Sequence, residues 1–317
     1  MTPVRVLFAG TPDVAVPSLD LLLGDARFEV VAALTNPDRP RGRSSRPVAS
    51  PVAERAEAAG VPVLRPERVR DATEQIAASD AVIGAVVAYG SILPSPVLAA
   101  LPHGFVNLHF SLLPRWRGAA PVQHAIRAGD SVTGVTAFRL DEGMDTGPIL
   151  RTLKVVPPAD VDAGDLLDAL AVAGAPVLAD ALLAATMGEP GTPQSDAGAT
   201  HAHRIGPEDA VVDWSGSGEE IARRIRSVTP RPGASTTLAG ERMKVAGATP
   251  GLDTADGLVP GTVIGAEGSA IVVACGAGTV RIGRVQLAGR GWSGAADQVR
   301  GRRIAPGIVL GADGDGT

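Results

Sequence analysis

The chain has 317 residues, a length that suggests two domains, and 45% hydrophobic with 20% charged residues is a globular composition. We find no run of about 20 apolar residues, so we expect no membrane span. The formal net charge of −5 gives no general sign of nucleic-acid binding, and the single Cys275 excludes an internal disulfide. The N-terminus enters a strand without a cleavable signal pattern, so we expect a cytoplasmic protein.

Strands and helices alternate through the first half of the chain, which predicts a doubly wound, mostly parallel sheet. The clearest strand is the continuous apolar run 81–87, which is typical of the centre of a parallel sheet. The other predicted strands are 4–9, 28–34, 61–64, 104–108 and 132–140. The predicted helices include 51–59, 66–78, 119–128 and 165–187.

A basic loop follows the second predicted strand, with Arg39, Arg41, Arg43 and Arg46 inside eight residues and Asp38 as the one nearby acid. One interpretation is a solvated, mobile segment, because such a loop has too few apolar anchors to order itself. The other is a phosphate clamp, because arginine presents a planar fork of donors that suits phosphate. Its position at the carboxyl edge of the predicted sheet favours the clamp.

Two polar residues, Asn107 and His109, stand at the end of the strand predicted over 104–108. Because strand side chains alternate, this pair shares one face while Leu108 points to the other. A satisfied pair in the core is one interpretation. However, a loop with Pro114 follows at once, so the pair lies at the carboxyl edge, where open α/β sheets bind ligands. We therefore predict a functional site here.

A turn rich in acids and glycine follows the strand predicted over 132–140 and contains Asp141, Glu142 and Asp145. It can be a plain solvated β-turn, which Asp and Gly favour. Alternatively, it presents a carboxylate to the carboxyl edge of the sheet, near the Asn107 and His109 pair. The spacing of the acids fits no EF-hand, and we expect no metal site.

The stretch 188–202 is rich in Gly, Pro, Thr and Ala and is typical of a linker, which we predict over 189–206 between domains 1–188 and 207–317. Short predicted strands separated by Gly and Pro indicate a small β-barrel in the second domain. Residues 281–303 contain six arginines against Asp297 alone. A basic stripe of this kind favours a nucleic-acid backbone, and a solvated face is the alternative.

The motif Asn107-x-His109-x-Ser111-Leu112-Leu113-Pro114 and its continuation over 115–121 resemble the signature of the folate-dependent formyltransferases. The turn 9–13 shares this resemblance, which is strongest to the methionyl-tRNA formyltransferases and covers nearly the whole chain. It implies a Rossmann-like sheet followed by an OB-like barrel. Phe110 and Arg231 depart from the family, which usually has Gly and Trp at these positions.

The resemblance also implies roles for particular residues. It identifies Asn107, His109 and Asp145 as the catalytic residues. It implies folate contacts at Ser111, Leu112, Leu113 and Pro114, with Ile92, Leu93, Leu140 and Asp141 as further candidates. It assigns Arg39, Arg41, Arg43 and Arg46 to tRNA binding. The implied donor is 10-formyltetrahydrofolate, and the implied acceptor is the amino group of methionine on initiator methionyl-tRNA. We expect a monomer without a metal.

An Asn, His and Asp site with no placed nucleophile indicates direct acyl transfer. The Asn107 amide and a protonated His109 can donate hydrogen bonds to the developing oxyanion. Asp145 can favour the charged imidazole, or it can move a proton from the amine through water. Two alternatives remain: a sugar-nucleotide N-formyltransferase, which would not need the Arg39–Arg46 loop, and a non-catalytic RNA-binding protein, which would not need the three polar residues.

Overall fold

The computed structural model describes residues 2–40, 46–252 and 254–312. The chain forms two compact units. The first comprises Met1–Pro121, Val132–Val156 and Leu167–Ala202, and the second comprises Val122–Ser131, Pro157–Leu166 and His203–Thr317. Residues 122–131 and 157–166 therefore belong to the second unit although segments of the first unit follow them in the chain, which nothing in the sequence indicated. The domain boundaries at residues 188 and 207 stay a prediction.

The first 202 residues contain eleven strands and six α-helices among the described residues. The strands are β1 (Val4–Gly10), β2 (Phe28–Leu34), β3 (Arg39–Pro40), β4 (Pro47–Val48), β5 (Val63–Leu64), β6 (Ile83–Val87), β7 (Phe105–His109), β8 (Arg117–Gly118), β9 (Thr133–Arg139), β10 (Ile149–Val155) and β11 (His201–Ala202). The α-helices are α1 (Val16–Gly24), α2 (Pro51–Ala58), α3 (Thr73–Ala77), α4 (Ser95–Leu98), α5 (Pro121–Ala128) and α6 (Ala163–Thr186).

The main sheet has the strand order β10-β9-β7-β6-β1-β2-β5. The five strands β1, β2, β5, β6 and β7 pair in parallel, whereas β9 and β10 add an antiparallel edge. The prediction of a mostly parallel, doubly wound sheet is therefore confirmed. Strand β6 lies at the centre and is buried along its whole length, as its continuous apolar sequence requires.

Because β9 is antiparallel to β7, the loop that follows β9 takes a different course from the one we expected. Arg139, at the end of β9, pairs with Val106, whereas Thr136 pairs with His109. The loop after β9 therefore leaves the sheet at the amino end of β7, not at the carboxyl edge, where we expected the acidic turn. It must run back over about 13 Å, the length of four strand residues, to bring Asp145 to His109.

Helix α6 packs against strand β7 through Gly174. A Cβ atom at Gly174 would lie 2.9 Å from Cδ2 of Leu108, so the helix approaches the strand closely. This helix is also long and apolar enough, by length and composition alone, to span a membrane, with a mean hydropathy of 1.8, and half of that window is buried inside the protein. A core helix of a globular protein passes the same test, and the absence of a membrane span stays a prediction.

The second unit is built on an antiparallel sheet. Its strands are β12 (Ser235–Leu238), β13 (Glu241–Pro250), β14 (Val263–Glu267), β15 (Ala270–Ala274), β16 (Thr279–Gln286) and β17 (Ser293–Gly294), and its later helices are α7 (Gly218–Ser227) and α8 (Ala295–Arg300). The order is β12-β13-β16-β15-β14, with β17 on β16. Trp214, Ile225, Met243 and other apolar side chains fill its core.

Strand β13 runs through Gly247 to Pro250, although the sequence predicted only short strands separated by Gly and Pro. Ala246 pairs with Arg284 and Ala248 with Ile282, so the register is the same on both sides of Gly247, which has a φ of 66°. That left-handed backbone favours glycine, and the strand continues past it.

Candidate functional site

The structure brings His109 and Asp145 together at the carboxyl end of β7. His109 is only 6% exposed, and its Nδ1 lies 3.6 Å from Oδ2 of Asp145. Its Nε2 lies 2.8 Å from the carbonyl oxygen of Trp116. Because a carbonyl only accepts, Nε2 carries a hydrogen and donates it. His109 therefore has a hydrogen-bond partner at Nε2 and a carboxylate oxygen close to Nδ1, beyond hydrogen-bond distance.

Asn107 lies two residues earlier on β7 and is half-buried. It pairs with Val86 on one side and Phe138 on the other, so its backbone is held in the middle of the sheet. Within the part of the chain that the structure describes, no hydrogen bond uses its side-chain amide. Its N–H donors are thus available beside His109 on one face of the strand.

The loop Ser111–Pro114 is held by Thr136 of β9. The Thr136 hydroxyl donates to the Ser111 carbonyl at 2.7 Å and accepts from the Leu113 N–H at 3.1 Å. The Ser111 hydroxyl itself donates to the carbonyl of Arg115 at 2.6 Å. These hydrogen bonds fix the backbone of the loop, and its contacts with folate stay a prediction.

The further folate candidates occupy different surroundings. Leu93 is buried in a core cluster, and Leu140 packs against that cluster, whereas Ile92 is 82% exposed. The Asp141 carboxylate accepts hydrogen bonds from the Gly143 N–H and the Thr146 hydroxyl within its own turn. Only Ile92 among these presents an uncommitted apolar side chain to solvent.

The basic loop is described in part. Arg39 and Arg46 are exposed, and β3 and β4 pair beside them. Arg41 and Arg43 lie outside the described residues. Asp38, the acid nearest these arginines in sequence, accepts a hydrogen bond from Arg65 at 3.1 Å. Arg65 therefore occupies the carboxylate that could otherwise neutralise the loop.

The arginines of 281–303 divide into paired and exposed groups. Arg281 pairs with Glu267 and Arg300 with Asp297. Arg284 lies over the ring of Trp292, with 5.7 Å from its guanidinium carbon to the ring centre. These two side chains, with Lys244, Thr229 and Pro230 among others, line a cavity of about 170 Å³ in the second unit.

Sequence reasoning missed the residues that support Asp145. The Gly118 N–H donates to Oδ2 of Asp145 at 2.7 Å. Gln194 donates from Nε2 to the carbonyl oxygens of Asp145 and Gly147, and it accepts from the guanidinium of Arg117. Nothing local marked Gln194, because it lies in a stretch that resembles a linker. Among the described residues, no group of three or more His, Cys, Asp or Glu side chains could hold a metal ion.

Comparison with known proteins identifies the family. A model described as "Formyl transferase" matches residues 4–182, and one described as "Formyl transferase, C-terminal domain" matches residues 204–303. The chain is 48% identical to the methionyl-tRNA formyltransferase of Streptomyces griseus, over 97% of this chain and 100% of that protein. The chain belongs to the methionyl-tRNA formyltransferase family. The family resemblance read from residues 105–118 is thereby confirmed.

Solved structures of lower identity share the fold. HypX from Aquifex aeolicus, solved in complex with tetrahydrofolic acid, matches 94% of this chain and 47% of its own, with a TM-score of 0.65 at 16% identity. An N-formyltransferase from Helicobacter canadensis, solved with folinic acid and dTDP-3-aminofucose, matches 88% of this chain and 98% of its own, with a TM-score of 0.66 at 18% identity.

Proposed function

We propose that this protein transfers the formyl group of 10-formyltetrahydrofolate to the α-amino group of methionine on initiator methionyl-tRNA, for translation initiation. The observation that carries the proposal is full-length identity of 48% to a methionyl-tRNA formyltransferase. The sugar-nucleotide alternative is not favoured, because the N-formyltransferase solved with dTDP-3-aminofucose is only 18% identical. A purely RNA-binding role would leave the Asn107, His109 and Asp145 arrangement unused.

The chemistry we propose is direct acyl transfer. The methionine amine attacks the formyl carbon, a C–N bond forms, and the bond from that carbon to the folate nitrogen breaks. The amine loses a proton, and the folate nitrogen gains one. Between these events the formyl oxygen carries negative charge, and fixed N–H donors that face it lower the barrier.

Each of the three residues has a task in this reaction. The uncommitted amide of Asn107 donates to the oxyanion. His109 donates as well, once the formyl oxygen replaces the Trp116 carbonyl as the partner of Nε2. Asp145, 3.6 Å from Nδ1, orients the ring and accepts the amine proton through water. No metal is needed for any of these steps.

We further propose where the two substrates bind. The folate lies against the loop Ser111–Pro114 with Ile92, Leu93, Leu140 and Asp141 around it. The tRNA acceptor end lies along Arg39, Arg41, Arg43 and Arg46, and its body lies along the exposed arginines of the second unit. The protein acts as a cytoplasmic monomer without a membrane span.

A formylation assay tests the function. Purified protein with 10-formyltetrahydrofolate should formylate charged initiator tRNA and leave a dTDP-amino sugar unmodified. Asp145→Asn should lose most of this activity, whereas Glu142→Gln, an exposed acid of the same turn, should keep it. Formylation of the sugar alone would establish the sugar-nucleotide alternative, and tRNA binding without formyl transfer would establish the RNA-binding one.

A further inference from the structure

The backbone around Asp145 needs support that its own loop does not provide. The loop starts at the far end of β7 and returns toward His109, as the pairing of Arg139 with Val106 requires. Asp145 has a φ of 57°, in the left-handed region that favours glycine. Contacts from outside the loop therefore help to hold this conformation.

Gln194 makes those contacts. Its Nε2 donates to the Asp145 carbonyl and to the Gly147 carbonyl, both at 2.8 Å. The two carbonyls lie on either side of Thr146, so one carboxamide fixes the backbone at Asp145 and just after it. Gln194 belongs to the first unit, as these partners do.

Arg117 fixes Gln194 in turn. Its Nε and Nη2 donate to Oε1 of Gln194 at 3.1 and 2.9 Å. Carbonyls only accept and a guanidinium only donates, so the carboxamide has a single orientation that satisfies all four contacts. Arg117 is 6% exposed, which keeps water from competing for these bonds.

A further contact connects the Arg117 segment to the Asp145 carboxylate itself. Arg117 is followed by Gly118, whose N–H donates to Oδ2 of Asp145. Gly118 has a φ of 119°, and a Cβ atom there would lie 2.6 Å from the Ala202 carbonyl oxygen, so glycine is required where β8 meets β11. The 117–118 backbone thus holds the side chain of Asp145 while Gln194 holds its main chain.

We propose that Gln194 is a positioning residue for formyl transfer, and that it keeps Asp145 against His109 with Arg117 as its own support. The inference rests on the proposed role of Asp145. A residue of this kind alters turnover without touching either substrate. Displacing a reacting group by about 1 Å costs about 100-fold in rate, which sets the scale of the effect.

The test uses the full-length protein with Gln194→Ala and Gln194→Glu. Glutamate keeps an acceptor for Arg117 and loses both donors to the carbonyls. We expect kcat to fall by about 10- to 100-fold in both variants, with KM unchanged for folate and for tRNA. Ser195→Ala, an exposed neighbour whose hydroxyl only accepts the Ala197 N–H, is the matched control and should keep the wild-type kcat.

A second measurement separates positioning from general support of the fold. If Gln194 acts through Asp145, adding Gln194→Ala to Asp145→Asn should cause no further loss of kcat. Wild-type kcat in Gln194→Glu, or a full additional loss in the double variant, would overturn the inference. If Gln194→Ala does not fold, the same cycle is run with Gln194→Glu. An inactive wild-type protein would instead overturn the proposed function.

Discussion

Strand β7 and the segment 188–202 contribute to one site in opposite ways. Asn107 and His109 interrupt an apolar strand, and this exception made them visible in the sequence. Gln194 and Thr200 lie among Gly, Pro, Thr and Ala, and their partners Arg117 and Trp116 are 77 and 84 residues away. The predicted catalytic groups on the strand stand out from the local pattern, whereas the groups that hydrogen-bond the backbone around the site do not.

The largest effect is expected for the polar residues of strand β7. Asn107→Ala and His109→Ala should each lower kcat by about 10²–10³, because each removes a donor to the oxyanion. Kinetics of formyl transfer to methionyl-tRNA measure the effect, with circular dichroism to check folding. The combined variant should lose less than the product of the two, since the residues act as a unit. Near-normal turnover in both single variants would show that Asn107 and His109 are not the reacting groups.

The next largest effect is expected for the basic loop that holds Arg43. Arg43→Ala should raise KM for tRNA about 10-fold, because a lost charged hydrogen bond is worth about 1.5–3 kcal/mol. The slope of log K against log salt should fall by about one unit, and KM for folate should not change. Arg70→Ala, at an exposed arginine outside this loop's sequence, is the control. An unchanged slope would mean that the loop is a solvated surface.

A matched pair of threonines sharpens the comparison further. Thr136→Val removes the bonds to Ser111 and Leu113, whereas Thr200→Val removes the acceptor of the Trp116 N–H, 2.9 Å away. Each should lower the free energy of unfolding by about 1–3 kcal/mol in urea titrations. We expect Thr136→Val to raise KM for folate and Thr200→Val to lower kcat. Identical kinetic changes would show that the two regions do not act separately.

The smallest expected effect is the pH dependence of stability that His124 of α5 causes. The ring of His124 packs edge-on against the ring of His203, which follows the segment 188–202. Burial lowers the pKa of His124 below its ordinary value of 6.5. The folded chain therefore binds this proton less readily than the unfolded chain. The contribution of His124 to the free energy of unfolding is therefore complete above pH 6.5, and it is lost as the pH falls through the pKa of His124 in the folded chain.

Urea midpoints measured from about pH 7.5 to 5 test this behaviour across the range where histidine titrates. The wild-type midpoint should fall with pH, and His124→Gln should flatten that fall. His201→Gln, an exposed histidine, serves as the control and should follow the wild type. Equal slopes in all three proteins would rule out His124 as the source.

Much of the fold followed from the sequence, because its causes are local. The apolar run of β6 and the polar end of β7 are periodic or exceptional patterns that a sequence displays. The direction of β9 could not be predicted, because an antiparallel strand can carry the same alternation as a parallel one. The sequence also gave no sign that residues 122–131 join the second unit, since that depends on distant packing.

The candidate site was predictable in its chemistry and not in its supports. The motif around Asn107 and His109 predicts the reacting groups, and the structure does bring His109 beside Asp145. Nothing in the sequence indicated that the Ser111 hydroxyl donates to the Arg115 carbonyl, four residues on. Side-chain partners of this kind are set by loop geometry, which composition and periodicity do not encode.

The separation of Arg117 from Gln194 has a consequence for the order of events during synthesis. A chain emerges from the ribosome at about 5–20 residues per second, so Gln194 follows Arg117 by several seconds. During that interval β7 can already pair with β6, while Asp145 lacks its support. We expect nascent chains stalled before residue 194 to transfer formyl groups at least about 10-fold more slowly than the full-length protein. Full activity in such chains would contradict this, whereas the slower rate would make efficient catalysis a late event in the life of the polypeptide.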